Sequence, residues 1–418
     1  MKKYTTQFIF FILLFTITLP AQEANFDWES NVWLPGRGME TVVVNDTTLF
    51  HLGGKSPYGV IFDDPFNSFL EYKNPSDLFW QLTNVKLKFR RYIDAHFYNG
   101  HIYVLGGDGY PVSDSTLEII DVNTLEVTYG ANFPDPRNQA GSVIYNGKIY
   151  VFGGMDHDYS TGTSAYKTTL YIYDCDMDTW TQGADFPFAG VINQAGVYNG
   201  MIYSFGGYDG STSDIIYVYD IANDVWMQKG TTPQPTSAIS VAVYGEDIFV
   251  IGDYAEENRF WKYNVPTETW TSYTSNLIGR RHSSVAVMND RLYVIGGVAK
   301  NSGAYRFLNI VQSTDLTQLV TSAEKEELSA INFSLEQNYP NPFNPTTKIN
   351  FSIPSESKVQ LKIFDSLGRL VKTILNEELA AGNHTIDFDA SSLSSGVYFY
   401  QLNVNNKWVQ SRKMTLLK

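Results

Sequence analysis

Cysteine is almost absent from this 418-residue chain: Cys175 is the only one, which excludes an intrachain disulfide framework. Charge is sparse, with Asp, Glu, Lys and Arg together at 18%, and the balance is acidic, a formal −14. A surface of that sign repels a phosphate backbone, so nucleic acid is set aside as a partner. The chain has no phosphate-cradling loop, zinc-binding helix or nucleophile elbow. Aromatic residues, by contrast, are plentiful at 15%, with 28 Tyr and 26 Phe. Such a composition suits a β-rich globular protein with large cores and argues against disorder.

Only the N-terminus carries a long apolar run. Residues 1–21 read as a secretory signal: Lys2 and Lys3 supply the positive end, residues 8–15 are unbroken apolar, and Leu19-Pro20-Ala21 offers a cleavage point before Gln22. A membrane anchor needs about 20 apolar residues, and Thr16, Thr18 and Pro20 cut this run short. The expectation is an exported protein with no transmembrane segment after cleavage.

One stretch recurs down the chain. It reads YNGHIYVLGG at 98–107, YNGKIYVFGG at 145–154 and YNGMIYSFGG at 198–207, with weaker copies ending at Gly54, Asp253 and Gly297. Each copy is a hairpin-type turn dipeptide followed by alternating apolar residues and, in most copies, a glycine pair. The first glycines fall at 53, 106, 153, 206, 252 and 296, in steps of 53, 47, 53, 46 and 44 residues. A period near 50 is the length of one four-stranded propeller blade. Trp80, Val127, Trp180, Trp226 and Trp270 each stand 26 residues before the next first glycine, which predicts an outermost strand at a constant distance. Periodic tryptophan at that place is expected to cover the wedge between blades.

The pattern resembles the kelch repeat. The sixth copy reaches no tryptophan near Leu316, whereas Asp27-Trp28 matches the outer-strand pattern 25 residues before Gly53. The N-terminal strand is therefore expected to complete the last blade of an all-β, six-bladed propeller over about residues 25–320.

A polar linker, 321–332, follows, and the texture changes from 333 to 418. An Asn-Pro-rich start, NYPNPFNPTTKINFSIP at 338–354, precedes short alternating strands near 359–364, 370–374, 385–388 and 397–404, a small β-sandwich of about seven strands. On Asn338-Tyr339-Pro340-Asn341-Pro342-Phe343-Asn344-Pro345, Phe364-Asp365 with Gly368-Arg369, Ala381-Gly382 with His384, Ser395-Gly396-Val397-Tyr398 and Lys413-Met414, this stretch resembles the type A C-terminal sorting domain of the type IX secretion system. The resemblance implies handling by the type IX secretion machinery through residues 333–418, and a secreted or outer-cell-surface protein.

Fold does not give function, so the site must be sought in residues. Two enzyme types come with the kelch resemblance. Copper radical oxidases need a cysteine cross-linked to a tyrosine beside the metal, and Cys175, between Asp174 and Asp176 in a turn toward the outer strand, is expected on the rim instead. Sialic-acid mutarotases use arginines and carboxylates around an axial funnel. Arg37, Arg91, Arg137 and Arg281 stand 15 or 16 residues before their glycine pairs, placed either to ring such a funnel or to pin the scaffold, as periodic residues usually do. No catalytic residue is assigned.

The segments after each glycine pair vary in length and, by kelch topology, emerge on one face. They carry Tyr58, Tyr110, Tyr159, Tyr208 and Tyr254 among Asp156, His157, Asp158 and Asp209, the ligand-binding candidates. Aromatic rings stack on sugar faces or peptide side chains, while carboxylates accept hydroxyl hydrogen bonds or hold calcium. Asp156-His157-Asp158 is the tightest cation cluster; a solvated acidic rim is the alternative. No cofactor is expected, calcium apart. Of the histidines, His51, His96 and His101 read as structural, and His157 and His282 lie near the loop-bearing face. The composite reading is a surface-delivered binding module for a glycan or protein ligand. A mutarotase-type carbohydrate-active enzyme and a structural component of the surface coat are the alternatives.

Overall fold

A computed structural model of the chain describes residues 22–33, 35–55, 69–74, 77–109, 112–192, 194–255, 258–301, 304–319, 334–353, 357–365, 369–379, 382–404 and 408–418. The expected signal and linker segments lie outside these residues. The chain divides into two units, Met1–Asp315 and Leu316–Lys418.

Apolar alternation around a two-residue turn is what a hairpin needs, and each repeat of the first unit folds as one. In YNGKIYVFGG, strands Gly141–Tyr145 and Lys148–Phe152 pair antiparallel across Asn146 (φ 50°) and Gly147 (φ 73°). Two left-handed residues form the tight turn that matches the twist of the flanking strands. Leu170–Asp174 and Thr179–Gln182 then complete a four-stranded meander. The same order recurs in the sheets built on Thr48–Lys55, His101–Leu105, Met201–Tyr208, Asp247–Ile251 and Arg291–Ile295. Their innermost strands are Arg37–Val44, Asp94–Tyr98, Gly141–Tyr145, Gly196–Tyr198, Ser240–Tyr244 and Ser284–Met288. These lie side by side in chain order, and the last packs against the first. The ring is closed around an axis.

Closure uses the N-terminus. Asp27–Trp28 pairs antiparallel with Val311–Asp315, Trp28 opposite Gln312, as the outer strand of the last sheet. Ahead of it, Gln22–Ala24 runs parallel to Thr269–Ser275 as a fifth strand of the preceding sheet. Three residues carry no periodic signal, so this strand is silent in the sequence. Between the two strands Phe26 is buried against Phe260 (ring centroids 5.3 Å), and its backbone exchanges hydrogen bonds with the Asn276 side chain at 2.7 and 3.0 Å. Tyr305 belongs to an added hairpin, Val298–Asn301 with Ala304–Phe307, and the third strand of the last sheet begins only at Val311.

Of the periodic tryptophans Trp80 is buried and Trp180, Trp226 and Trp270 pack half-buried against the core, whereas Trp28, on the closing strand, is 61% exposed and covers no wedge. Trp180 stacks on Phe133, in the connection from the preceding sheet, at 4.8 Å, and its Nε1 donates to Ala131 O at 2.9 Å. Trp226 takes the same place with Phe186, tilted at 58° with centroids 4.6 Å apart, and donates to Ala184 O at 3.0 Å. A half-buried indole with its N–H satisfied fills the widening gap between sheets without an orphaned donor.

In the second unit seven described strands form two sheets. One holds Ser334–Leu335, Thr346–Ile353 and Gly382–Asp389; the other holds Leu370–Leu379, Ser357–Asp365, Gly396–Val404 and Trp408–Leu416. Ile349, Phe351, Val359, Leu361 and Leu402 form the core of this unit. The buried Tyr400 phenol fastens the Asn-Pro-rich segment, donating to Glu336 O (2.6 Å) and accepting from Asn338 N (2.8 Å). Among the described residues no helix is long and apolar enough to cross a membrane.

Candidate functional site

The step from each loop into its innermost strand is made by one residue, 14 positions before the first glycine. In four sheets that residue is Tyr92 (φ 56°), Gln139 (φ 52°), Ala238 (φ 58°) or His282 (φ 50°). The residue before it is tied back to its own sheet: Arg91 bridges Asp108, Asn138 bridges Met155, Arg281 bridges Val298, and Ser237 O accepts from Tyr254 N. The chain must then turn sharply inward, which calls for a left-handed backbone. Non-glycine residues there cost roughly 1–3 kcal/mol each, and such strain concentrates where side chains are used. Backbone bonds lace these residues between neighbouring sheets: Tyr92 N to Gly38 O (2.8 Å), Gly38 N to His282 O (3.2 Å), His282 N to Ala238 O (3.1 Å).

Above this floor, on the loop face, opens a cavity of about 480 Å³. That lies within the range of about 300–1,000 Å³ typical of small-molecule sites. Tyr166, Tyr208 and Tyr254 form its walls, and Gln139, Ser237 and His282 lie toward its base. The three tyrosines are 38%, 40% and 56% exposed, so their rings are accessible from the cavity side. Burial, with Tyr208 and Asp209 nearby, holds the Tyr166 phenol above the ordinary tyrosine range, so it stays a hydrogen-bond donor.

Gln139 and His282 also line a narrow neck below the funnel, together with Glu40 and Gln194. Beyond the neck is a polar chamber of about 180 Å³ with Asp94, His96 and Ser142 on its wall. Gln194 Nε2 donates to Glu40 Oε1 at 2.9 Å, and Gln194 Oε1 accepts from Val241 N at 2.9 Å. Burial pushes the Glu40 carboxyl up to about 8; the Gln194 bond opposes this and the negative charge of Asp94 adds to it. Asp94 is raised to about 7 by burial against the opposing bond from Ser142, and burial lowers His96 to about 4. Burial thus disfavours charge along the axis, holding Glu40 toward its protonated form and His96 toward its neutral form.

Of the sequence candidates, Tyr208 and Tyr254 are brought together on the funnel wall. Tyr159 turns back instead, donating to Asp108 Oδ2 (2.7 Å) and accepting from Arg91 (2.8 Å). Asp156, His157 and Asp158 do not form a cation site. They lie on one strand, Met155–Asp158, where His157 points to the face opposite Asp156 and Asp158. Asp158 caps the turn at Ser160 (2.8 Å to its N), and His157 Nδ1 meets Ser164 Oγ at 2.8 Å. Among the described residues no three His, Cys, Asp or Glu side chains could hold a metal ion. Asp209 binds Ser211 in its own turn. Tyr58 and Tyr110 lie outside the described residues, as does the Arg37 side chain.

The arginines separate by one residue of register. Arg137 stands 16 before its glycine, with Arg90 and Arg280 at the same offset; all three are 0–1% exposed. Each guanidinium donates to the carbonyl of its glycine, at Gly106 (3.2 Å), Gly153 (3.0 Å) and Gly296 (3.2 Å). Each also donates to a carbonyl ahead of the third strand, at Thr116 (2.6 Å), Thr169 (2.8 Å) and Ile310 (3.2 Å). In the fifth sheet Thr236 holds this place, and Arg259 enters from beside the third strand to pair with Asp253 and lie over Trp261 at 4.1 Å. At offset 15, Arg91 is bound by Asp108 (Nε to Oδ2, 2.6 Å), and the guanidinium of Arg281 is sandwiched between Tyr254 (3.8 Å) and Tyr305 (4.5 Å). Arg91, Arg137 and Arg281 thus do not converge on one open pocket. Cys175 is half-buried, and burial beside Asp176 and Asp174 pushes its thiol up to about 12, which keeps it unreactive.

Comparison with known proteins matches this architecture. A family model described as the KLHDC2/KLHL20/DRC7 Kelch-repeats domain fits residues 38–253, just over half of the chain. The chain belongs to the kelch-repeat family. A second model, the secretion system C-terminal sorting domain, fits residues 337–416. This is therefore an exported kelch-propeller protein handled by the type IX secretion machinery. Over shorter stretches the kelch protein is similar to the F-box/kelch-repeat protein At1g22040 of Arabidopsis thaliana, 28% identical over 112 residues (26% of this chain, 23% of that protein). It is also similar to the Kelch-like protein terF of Aspergillus terreus, 33% identical over 72 residues (15% of this chain, 16% of that protein). The match covers less than a quarter of either relative's length.

Glu40, Gln139 and Gln194 escape sequence reasoning. Gln139 shares its offset with Tyr92, Ala238 and His282, four unlike residues, so composition carries no mark of the position. Only the constant spacing from the glycine pair signals it.

Proposed function

We propose that this exported kelch propeller is a surface-delivered binding module whose ligand, a glycan, seats in the tyrosine-walled funnel. The observation that carries the reading is the convergence of Tyr166, Tyr208 and Tyr254, all partly exposed, on one axial cavity of small-molecule size. A phenol ring offers an apolar face to the C–H side of a sugar ring and a hydroxyl at its edge, at little entropic cost because the side chain has few rotatable bonds. The variable loops of a rigid scaffold rim the same cavity, where binding residues concentrate. What weighs against a mutarotase-type enzyme is the use of the arginines: Arg137 is sealed within its sheet, Arg91 is neutralised by Asp108, and Arg281 is covered on both faces.

The test is a glycan array probed with the full chain, alongside Tyr208→Ala and Tyr254→Ala. Each substitution is expected to weaken binding about tenfold or more without moving the melting temperature. Array binding that survives both substitutions would remove the funnel from the reading. A silent array with the wild-type protein would turn the search to protein ligands.

A further inference from the structure

We infer that the funnel selects an uncharged, hydroxyl-rich saccharide, and that Gln139 and His282, carried on left-handed backbone at its base, are the residues that select it. This rests on the funnel being the ligand site.

The walls decide the charge. Among the described residues lining the cavity there is no Asp, Glu, Lys or Arg. The two arginines nearest the loop face are already engaged: Arg91 by Asp108 and Tyr159, and Arg281, 4% exposed, between the rings of Tyr254 and Tyr305. A uronate or sialate carboxylate seated here would lose hydration and meet amide, imidazole and phenol groups instead of a counter-charge, inside a protein of net charge −14. Sugar hydroxyls have the opposite character. Each both donates and accepts, as do the amide of Gln139 and the hydroxyl of Ser237, and the imidazole of His282 adds ring nitrogens that can bond either way.

The floor decides which residues select. Gln139 and His282 line both the funnel and the neck beneath it, so they mark the deepest point a ligand reaches before Gln194 and Glu40 close the axis. Both side chains are held in place. Gln139 Nε2 donates to Asn138 Oδ1 at 3.2 Å, and the His282 ring packs edge-on against Tyr92 at 5.1 Å. Both residues also sit at positive φ, 52° and 50°, where glycine would be free of strain. The inward turn itself requires this conformation, Ala238 (φ 58°) sharing it on the same cavity, so it is the side chains carried there that make Gln139 and His282 differ from Ala238.

That strain also provides a test that separates binding from folding. Glycine at either position keeps the turn and removes the side chain, so Gln139→Gly and His282→Gly should melt at the same temperature as the wild type or higher. The full chain would be titrated calorimetrically at low salt with neutral trisaccharides (maltotriose, cellotriose, chitotriose, mannotriose) and with trigalacturonate and 3′-sialyllactose as acidic probes. The expected result is binding of at least one neutral probe, acidic probes weaker by about tenfold or more, and a comparable loss in both glycine variants. Acidic probes binding as tightly as neutral ones would overturn the ligand class while leaving the funnel a binding site. Neutral binding unchanged in the glycine variants would overturn the role of the floor. If no saccharide of either kind binds, both this inference and the glycan reading beneath it fall.

Discussion

Gln194 reaches Glu40 across the propeller axis, its amide Nε2 donating to the carboxyl Oε1 at 2.9 Å from a position 154 residues away in the chain. Glu40 lies on the innermost strand of the first sheet, and Gln194 just precedes that of the fourth, three sheets around the ring. The bond closes the neck between the funnel and the polar chamber below. It also places a carboxyl where water is scarce.

Glu40 makes folding sensitive to alkaline pH. Its folded value of about 8 lies above the ordinary 4.5, so between these values the unfolded chain releases a proton that the folded one keeps. The stability present below pH 4.5 is lost as pH rises to about 8. Glu40→Gln removes this loss. Melting temperatures across pH should coincide with the wild type near pH 4 and exceed it at pH 8–9, by the equivalent of roughly 1–3 kcal/mol after allowance for partial solvent access. Parallel curves would show that Glu40 ionises normally.

His51 acts at the other end of the scale. It is buried, with Nδ1 on Thr41 Oγ1 at 2.8 Å, and burial lowers it to about 3 from 6.5. The unfolded chain therefore takes up a proton below pH 6.5 that the folded chain refuses, and stability present above pH 6.5 is lost as pH falls toward 3. His96, lowered to about 4, adds to this limb. Urea midpoints measured from pH 7 to 4 should fall less steeply in His51→Asn than in the wild type, whatever its stability at pH 7.

Arg137 holds three parts of its sheet at once. Its guanidinium bonds Asp135 (2.5 Å), Gly153 O (3.0 Å) and Thr169 O (2.8 Å), and stacks near Phe133 at 5.2 Å. Arg137→Met leaves two carbonyls without their buried donor, while Asp135, half-buried, keeps Lys167 (2.7 Å) and Thr169 Oγ1 (2.9 Å), a loss of about 2–4 kcal/mol in urea unfolding. Arg137→Lys should recover little of it, because an ammonium cannot span the planar fork.

The sorting domain should act as the export address. Produced in a bacterium with type IX machinery, the full chain is expected at the cell surface or in the medium, and a chain lacking residues 333–418 is expected to remain inside the outer membrane. Fractionation followed by immunoblotting reads the outcome. Equal external yield of the two chains would show that another segment directs export.

Much of the scaffold is legible in the sequence. The Asn-Gly turns at 99–100, 146–147 and 199–200 and the alternation after them are local signals, and the hairpins form where those signals stand. Asp27-Trp28 was legible as a displaced outer strand because it copies a pattern seen four times elsewhere. The arginines were half legible. Their offset of 15 or 16 was visible, but one residue of register separates a guanidinium sealed in the sheet (Arg137) from one on the loop face (Arg281), and spacing alone does not reveal which way a side chain leaves a left-handed turn. Tyr159 read as a ligand contact and instead braces Arg91 and Asp108, 68 and 51 residues away, a partnership made by the fold of its hairpin.

By itself the sequence determined the repeated hairpins, their turn types and the sorting tail, because short-range rules of period, turn geometry and propensity govern all of them. Tertiary structure alone decided the funnel, its floor of Gln139 and His282, and the Glu40–Gln194 closure. Those groups come from sheets far apart in the chain and meet only once the ring is shut. Nothing in their local sequence distinguishes them, since their environment is created by the strands of other repeats.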